Sequence, residues 1–283
     1  MMPLQIRPMT RAELGAGLDW AAGEGWNPGL HDADSFHGAD PGGFLLGLLD
    51  AEPVAMISAV RYGTGFGFIG FYIVRPAFRG RGHGIALWRA AIERLAGRTI
   101  GLDGVVAQQA AYRRSGFALA WNNVRYEGIA RRIERPAAPE VSIVPIVQAS
   151  TELLDFDAAF FPDDRRRFVR LWIAQAAGTA LAARRRGRCA GYGVIRPCRS
   201  GFKIGPLLAD DADLADRLLC ALVSRVPAGE PVQLDIPATN AAALELARTH
   251  GMRPVFETAR MYTGVAPQLP ISRLFGITTF ELG

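Results

Sequence analysis

A short run of glycines and arginines carries the most specific chemistry in this sequence of 283 residues. In order, the run reads Arg79, Gly80, Arg81, Gly82, His83, Gly84. An aromatic and β-branched stretch over residues 66–74 precedes it, and apolar residues follow at helical spacing, which predicts a strand, a tight loop and a helix. The N–H groups and the positive dipole end at a helix start bind anions. The run therefore predicts a site for a phosphate or pyrophosphate, to which the arginines add positive charge.

Glycine spacing separates this loop from other phosphate-binding motifs. A dinucleotide fingerprint needs G-x-G-x-x-G and a P-loop needs Gly-Lys-Ser/Thr, and the run has neither. The stretch resembles motif A of the GNAT superfamily of acyl-CoA-dependent N-acyltransferases, through Val74, Pro76, Arg79, Gly82 and Gly84. An ordinary tight turn with exposed arginines is the alternative.

The resemblance implies that the loop binds the pyrophosphate of acetyl-CoA, the expected co-substrate. Backbone N–H groups at the end of the preceding strand polarise the thioester carbonyl in this family. The cofactor-binding residues that it implies are Ile73, Val74, Arg79, Gly80, Arg81, Gly82, His83 and Gly84.

A second stretch, which begins at Tyr112 and ends in Gly116-Phe117, matches the family's Tyr-x-x-x-Gly-Phe pattern. The family's tyrosine lies beside the CoA sulfur, so the resemblance implies that Tyr112 is the general acid for the departing thiolate. The sequence departs from the family at Val105, where many members carry an asparagine. A core aromatic on a helix face is the alternative for Tyr112.

The stretch from Gly23 to Asp32 is too rich in glycine and proline for regular structure, and it mixes aromatic, amide, imidazole and carboxylate side chains. The corresponding segment lines the acceptor groove in the family. The implied substrate-binding residues are Trp26, Asn27, His31, Asp32 and, on the strand before the glycine loop, Tyr72. No metal is expected here, because the loop histidines lack a supporting ligand pattern.

The general base is the least defined catalytic group. Neither alternating face of the strand over residues 66–74 offers a carboxylate or an imidazole. The sequence predicts Glu24 as the base. His31, Asp32, Asp103 and a water-mediated route remain open.

The composition is that of a soluble globular protein, with 49% apolar and 21% charged residues and a formal net charge of +5. Three cysteines without metal-ligand spacing, and no apolar run of membrane-spanning length, predict a cytoplasmic protein. The arginine runs 165–167 and 184–186 lack interleaved aromatic residues, so we expect a solvated face, with no nucleic-acid or membrane partner. The oligomeric state is left open.

The sequence also repeats itself. Residues 141–146 parallel residues 4–9, and a charged, proline-rich linker over residues 130–140 separates the copies. We predict a CoA-binding GNAT domain over residues 1–135 and a degenerate GNAT-like domain over residues 136–283. In the second copy, the aspartates over residues 210–213 replace the glycine series and repel a pyrophosphate.

The predicted fold class is α/β (α+β), with two GNAT-like domains. Each is expected to have a mixed, mostly antiparallel, splayed central sheet flanked by helices. The apolar segment over residues 274–282 is expected to pack on a sheet or across the domains.

The predicted function is an acetyl-CoA-dependent N-acyltransferase that transfers an acetyl group to a small-molecule amine by direct attack. A non-catalytic acyl-CoA sensor is the alternative.

Overall fold

The computed structural model describes residues 4–283, and its two halves contain the same order of helices and strands. The first half consists of β1 (Gln5–Pro8), α1 (Arg11–Gly23), α2 (Asp32–Ala39), β2 (Phe44–Leu49), β3 (Glu52–Tyr62), β4 (Phe66–Val74), α3 (His83–Arg94), β5 (Thr99–Val105), α4 (Gln109–Arg114) and β6 (Phe117–Ile129). The second half consists of β7 (Val141–Pro145), α5 (Thr151–Ala158), α6 (Arg166–Ile173), β8 (Thr179–Arg185), β9 (Arg188–Pro197), β10 (Phe202–Ala209), α7 (Ala212–Val223), β11 (Pro231–Pro237), α8 (Ala241–Thr249) and β12 (Arg253–Thr263). A short strand, β13 (Leu274–Gly276), follows. The internal repeat predicted from the sequence is confirmed.

Local signals in the sequence explain how the elements begin. At the start of α1, the Thr10 hydroxyl accepts from the N–H of Glu13, and the Glu13 carboxylate accepts from the N–H of Thr10 at 2.8 Å. This reciprocal capping box satisfies two N–H groups that a helix start leaves free. Helix α3 buries Leu87 and Ala91, which lie at helical spacing, against the sheet.

The two halves share one sheet of 13 strands, because each half contributes its last strand to the junction. Strand β12 of the second half lies between β5 and β6 of the first, and β6 pairs on its other side with β11. The sheet is mostly antiparallel, with parallel pairs at β4–β5 and β10–β11. The predicted linker contains no helix or strand between β6 and β7. The division of the chain at residue 135 stays a prediction.

Strands β4 and β5 diverge along their length. They pair from Phe66 opposite Thr99 to Ile69 opposite Leu102, and their remaining residues do not pair with each other. Strand β4 also carries a bulge, since residues 71 and 72 together lie opposite residue 57 of β3. Phe71 has a φ of +46° at this point, a conformation that costs a non-glycine residue energy.

The bulge corrects the predicted faces of β4. Strict alternation places Phe68 and Tyr72 on one face, but the extra residue exchanges the two faces beyond it. Phe71 and Ile73 pack in the same core as Phe68, whereas Tyr72 packs in the opposite core with Ile69. The corrected faces still offer no carboxylate or imidazole.

The corresponding opening in the second half is occupied by the chain itself. Strands β10 and β11 pair in parallel only from Phe202 to Ile204, and β13 then pairs with β10 at Leu207 and Leu208. The N–H of Ile277, just after β13, donates to the carbonyl of Asp235 in β11. The tail thus closes the gap that stays open in the first half.

The core on one face of the sheet runs through both halves. Helices α2 and α6 pack against each other, and the rings of Phe36 and Trp172 stack with centroids 5.8 Å apart. The tail residues Ile277, Phe280 and Leu282 join this core, as expected for the apolar segment.

One expectation about the arginine runs is wrong. Arg165 is buried rather than solvated, and its guanidinium pairs with both oxygens of Asp157 at 2.8 and 2.7 Å. A buried guanidinium needs such a partner, because leaving water is costly for an unpaired charge.

Within residues 4–283, no helix has the length and apolar character needed to cross a membrane.

Candidate active site

A cavity of about 710 Å³ lies where β4 and β5 diverge. The glycine loop and α3 form one side, and the ends of β5 and α4 form another. Residues of β12 and the tail, both from the second half, form the remaining wall. Sites of this kind, at the carboxyl ends of parallel strands, are common places for ligands.

The structure brings most of the predicted site residues into this cavity. Those that line it are Glu24, Trp26, Tyr72, Ile73, Val74, Arg79, Gly80, Gly82, His83, Gly84 and Tyr112. Arg81 does not line it, and its exposed guanidinium lies over the ring of Phe78 at 5.9 Å.

The glycine loop has the geometry of an anion site. Gly80 and Gly82 have φ angles of +75° and +84°, which residues with a Cβ rarely adopt. Gly82 is the N-cap of α3, so the first N–H groups of the helix, from His83 onward, have no partner within the helix. Among the described residues, the N–H groups of residues 80–82 also have no hydrogen-bond acceptor. The loop therefore offers a row of free donors at the positive end of a helix, which fits the pyrophosphate of an acyl-CoA.

Arg79 is fixed at the entrance to this loop. Its Nε donates to the carbonyl of Val74 at 2.8 Å, and its Nη2 pairs with the carboxylate of Glu24. Glu24, predicted as the general base, therefore lies at the glycine-loop end of the cavity with its carboxylate engaged. This placement favours a role beside Arg79 over a role at the acceptor.

Tyr112 faces the cavity from α4. Its ring lies 5.6 Å from that of Trp88, which in turn lies 5.5 Å from the ring of Tyr72. Burial raises the pKa of Tyr112 to about 12, and the nearby Tyr72 hydroxyl adds to the rise. Burial also raises the pKa of Tyr72. The Tyr112 phenol thus keeps its proton at neutral pH and can donate it.

Three predicted acceptor-binding residues do not line the cavity, and their assignment is corrected. Asn27 exchanges hydrogen bonds with the backbone of Ser200 in the second half, at 2.9 Å each. Asp32 is 1% exposed and accepts from Arg196 of β9 at 2.8 Å. His31 is the N-cap residue of α2. The side chains of Asn27 and Asp32, placed in the groove by resemblance, belong instead to the contact between the halves.

Asp103, one of the alternatives for the base, lines the cavity but is fully engaged. Both of its oxygens accept from Arg260 of β12, at 3.0 and 2.6 Å, and one also accepts from Asn123 at 2.7 Å. The pair is buried, with side-chain exposures of 5% for Arg260 and 0% for Asp103. This arrangement attaches β12 to β5 and leaves no free carboxylate for proton transfer.

Sequence reasoning did not identify the residues that the second half contributes to this cavity. Phe256 and Thr258 of β12, and Phe280 and Glu281 of the tail, line it. The backbone oxygen of Glu281 lies so close to Gly70 of β4 that a Cβ there would be 2.2 Å from it. The glycine at residue 70 therefore admits the tail to the diverging strands. In the sequence, only the apolar character of residues 274–282 indicated that the tail packs against the rest of the protein.

Family models match both halves of the chain. A model described as acetyltransferase (GNAT) family matches residues 12–117, and one described as acetyltransferase (GNAT) domain matches residues 153–276. Over 265 residues, the chain is 29% identical to a holothin acyltransferase of Pseudoalteromonas sp. (strain SANK 73390), covering 94% of this chain and 90% of that protein.

Solved structures agree on the fold. A protein of Pyrococcus horikoshii assigned as an acetyltransferase superposes with a TM-score of 0.85 at 24% identity, over 100% of this chain and 97% of that one. A tandem GNAT protein from the clavulanic acid biosynthesis pathway superposes with a TM-score of 0.64 at 15% identity, over 94% of this chain and 100% of that one. Together with the repeated elements and the glycine loop present in one half alone, these matches identify the chain as a tandem acyltransferase of the GNAT superfamily, with a degenerate second GNAT domain.

Proposed function

We propose that this protein is an N-acyltransferase that transfers the acetyl group of acetyl-CoA directly to the amine of a small molecule. One observation carries the proposal. A single cavity combines a glycine loop with free N–H groups, a gap between diverging strands and a buried tyrosine that keeps its proton. Acyl transfer from a thioester to an amine needs a held donor, a neutral amine and a proton for the thiolate.

Each part of the cavity supplies one of these needs. The loop over residues 79–84 holds the pyrophosphate, with Arg79 as the charged partner. The backbone at Ile73 and Val74, where β4 pairs with β3 but not with β5, faces the thioester. Its N–H groups stabilise the negative charge that develops on the carbonyl oxygen.

The chemistry then follows from the contents of the cavity. The acceptor nitrogen attacks the thioester carbon, a C–N bond forms and the C–S bond breaks. Tyr112 donates its proton to the sulfur, and the proton lost from the acceptor nitrogen restores the phenol. The raised pKa of Tyr112 ensures that the phenol is protonated before each transfer.

A small-molecule acceptor is the best supported class. The similar protein that covers nearly the whole chain is a holothin acyltransferase, and several aromatic side chains line the cavity. We propose a small-molecule amine as the acceptor, with no nucleic-acid partner. Five arginines of the two runs, at residues 165, 166 and 184–186, pair with carboxylates of this chain.

The test is a thiol-release assay with acetyl-CoA and a panel of small amines, followed by mass spectrometry of the products. We expect CoA release that depends on the amine, together with an acetylated amine. Binding of acetyl-CoA without release of CoA for any amine would support the sensor alternative and contradict the enzyme.

A further inference from the structure

Where the tail lines the cavity, it contributes one acidic residue that the mechanism above does not use. Three acidic residues line the cavity, and Glu24 and Asp103 each have a guanidinium partner. The Glu281 carboxylate forms no salt bridge and no side-chain hydrogen bond with any residue of the described chain, so that only burial and more distant charges act on it. An unpartnered carboxylate in a buried position is costly, and such groups concentrate at functional sites.

The surroundings of Glu281 come from both halves. The charged groups that act on it are Lys203 of β10, Arg125 of β6, Arg196 of β9 and Asp32 of α2. Burial raises the pKa of the Glu281 carboxyl, whereas the lysine and the two arginines oppose the rise. A carboxyl with a raised pKa is a better proton acceptor near neutral pH than an ordinary glutamate.

The nearby cations are already engaged by other groups. Arg125 makes two hydrogen bonds to Asp235, and Lys203 donates to the carbonyl of Asn27 at 2.9 Å. Arg196 holds Asp32. None of the three cations lines the cavity. An acceptor that enters this end therefore meets a free carboxylate and no free positive charge.

The other walls here are aromatic. Trp26, Phe71, Phe256 and Phe280 line the cavity around Glu281. The hydroxyl of Thr258, which is buried and has no hydrogen-bond partner within residues 4–283, lies on the same wall. This combination suits a flat or apolar molecule with one cationic group.

We propose that Glu281 binds the ammonium group of the acceptor and takes its proton, so that the enzyme selects apolar primary amines without an acidic group. The proposal rests on the proposed function and names its acceptor class and its base. The first proton of the ammonium passes to Glu281, which leaves a neutral amine to attack. The second is lost from the nitrogen as the C–S bond breaks, and Glu281 returns its proton to solvent.

The first experiment uses the unmodified protein and a matched pair of acceptors. Tyramine and tyrosine differ by one carboxylate, so their ratio of kcat/KM measures the cost of placing that group beside Glu281. We expect tyramine to be favoured by about 100-fold or more, because the carboxylate is desolvated without a partner. A ratio below about threefold would overturn the acceptor class, since discrimination by one buried charge must exceed that.

The second experiment compares Glu281→Gln with the surface control Glu230→Gln, with tyramine as acceptor. At pH 7 we expect kcat/KM to fall by about 100-fold or more in Glu281→Gln, within the usual range for loss of a general base, and to stay unchanged in the control. The variant should recover about tenfold per pH unit toward the pKa of the amine, because it depends on amine that is already neutral.

A merely structural role for Glu281 would not produce that recovery. Acetyl-CoA binding by calorimetry reports whether the variant is folded. If the wild type and Glu281→Gln acetylate tyramine equally well at pH 7, Glu281 is not the general base, while the proposed function stands. If the wild type binds no acetyl-CoA and acetylates no amine, the proposed function and the role of Glu281 are both refuted.

Discussion

Replacing Tyr112 by phenylalanine tests whether this residue supplies the proton that the departing thiolate needs. The phenylalanine keeps the ring that packs against Trp88, and the hydroxyl that it removes has no hydrogen-bond partner in the described chain. The change therefore leaves no buried group unsatisfied, and we expect the melting temperature to stay nearly the same. Loss of a positioned acid lowers the rate by ~10²–10⁴-fold, which corresponds to about 3–5 kcal/mol of activation free energy.

The pH dependence follows from the pKa of about 12 for Tyr112. A raised pKa keeps the phenol protonated at every pH below about 12, so it contributes no basic limb between pH 6 and 9. The ratio of wild-type to variant kcat should be constant over that range, and acetyl-CoA affinity should be unchanged. The assay is thiol release with tyramine, and Tyr126→Phe, which removes a hydroxyl from a tyrosine outside the cavity, is the control. A Tyr112→Phe kcat within about threefold of the wild type would refute the role of the phenol.

Three further substitutions test the other parts of the site. Gly82→Asp should abolish acetyl-CoA binding in calorimetry, because it strains a backbone at φ +84° and brings a negative charge to the loop. The control Gly229→Asp, at φ +92° on an exposed turn, should leave one acetyl-CoA site per chain. Two equal sites per chain would contradict the closed second half. Trp26→Ala should raise the KM of the acceptor about tenfold, with little change for acetyl-CoA, and equal changes in the two KM values would mean that the loop is structural. Glu24→Gln should keep most of kcat and lower the KM of acetyl-CoA, because it releases Arg79 for the pyrophosphate. A fall in kcat of about 100-fold would instead support Glu24 as the general base.

The glycine-loop end of the site could be predicted from the sequence because its signal is local. The strand, the glycine loop and α3 are contiguous, so spacing alone defines where the free N–H groups lie. The same holds for the capping box at Thr10 and for the repeat of element order. The bulge at Phe71 was not predictable, because alternation assumes a regular strand.

The wall that the second half contributes to the cavity could not be predicted, because its residues are distant in sequence from the glycine loop. Gly70 and Glu281 come together only because the last strands of the halves exchange places and the tail crosses from β10 to β4. The polar loop that ends at Asp32 was predicted to bind the substrate, yet Asp32 forms a buried ion pair with Arg196. Residue spacing does not predict buried ion pairs of this kind, since they depend on tertiary packing.

A crystal structure with bound acetyl-CoA tests the central claim most directly. The account predicts one molecule per chain, with its pyrophosphate at residues 79–84, its sulfur beside Tyr112 and its acetyl group pointing toward the aromatic end that holds Glu281. Density for CoA between β10 and α7, or a thioester directed away from Tyr112, would contradict it.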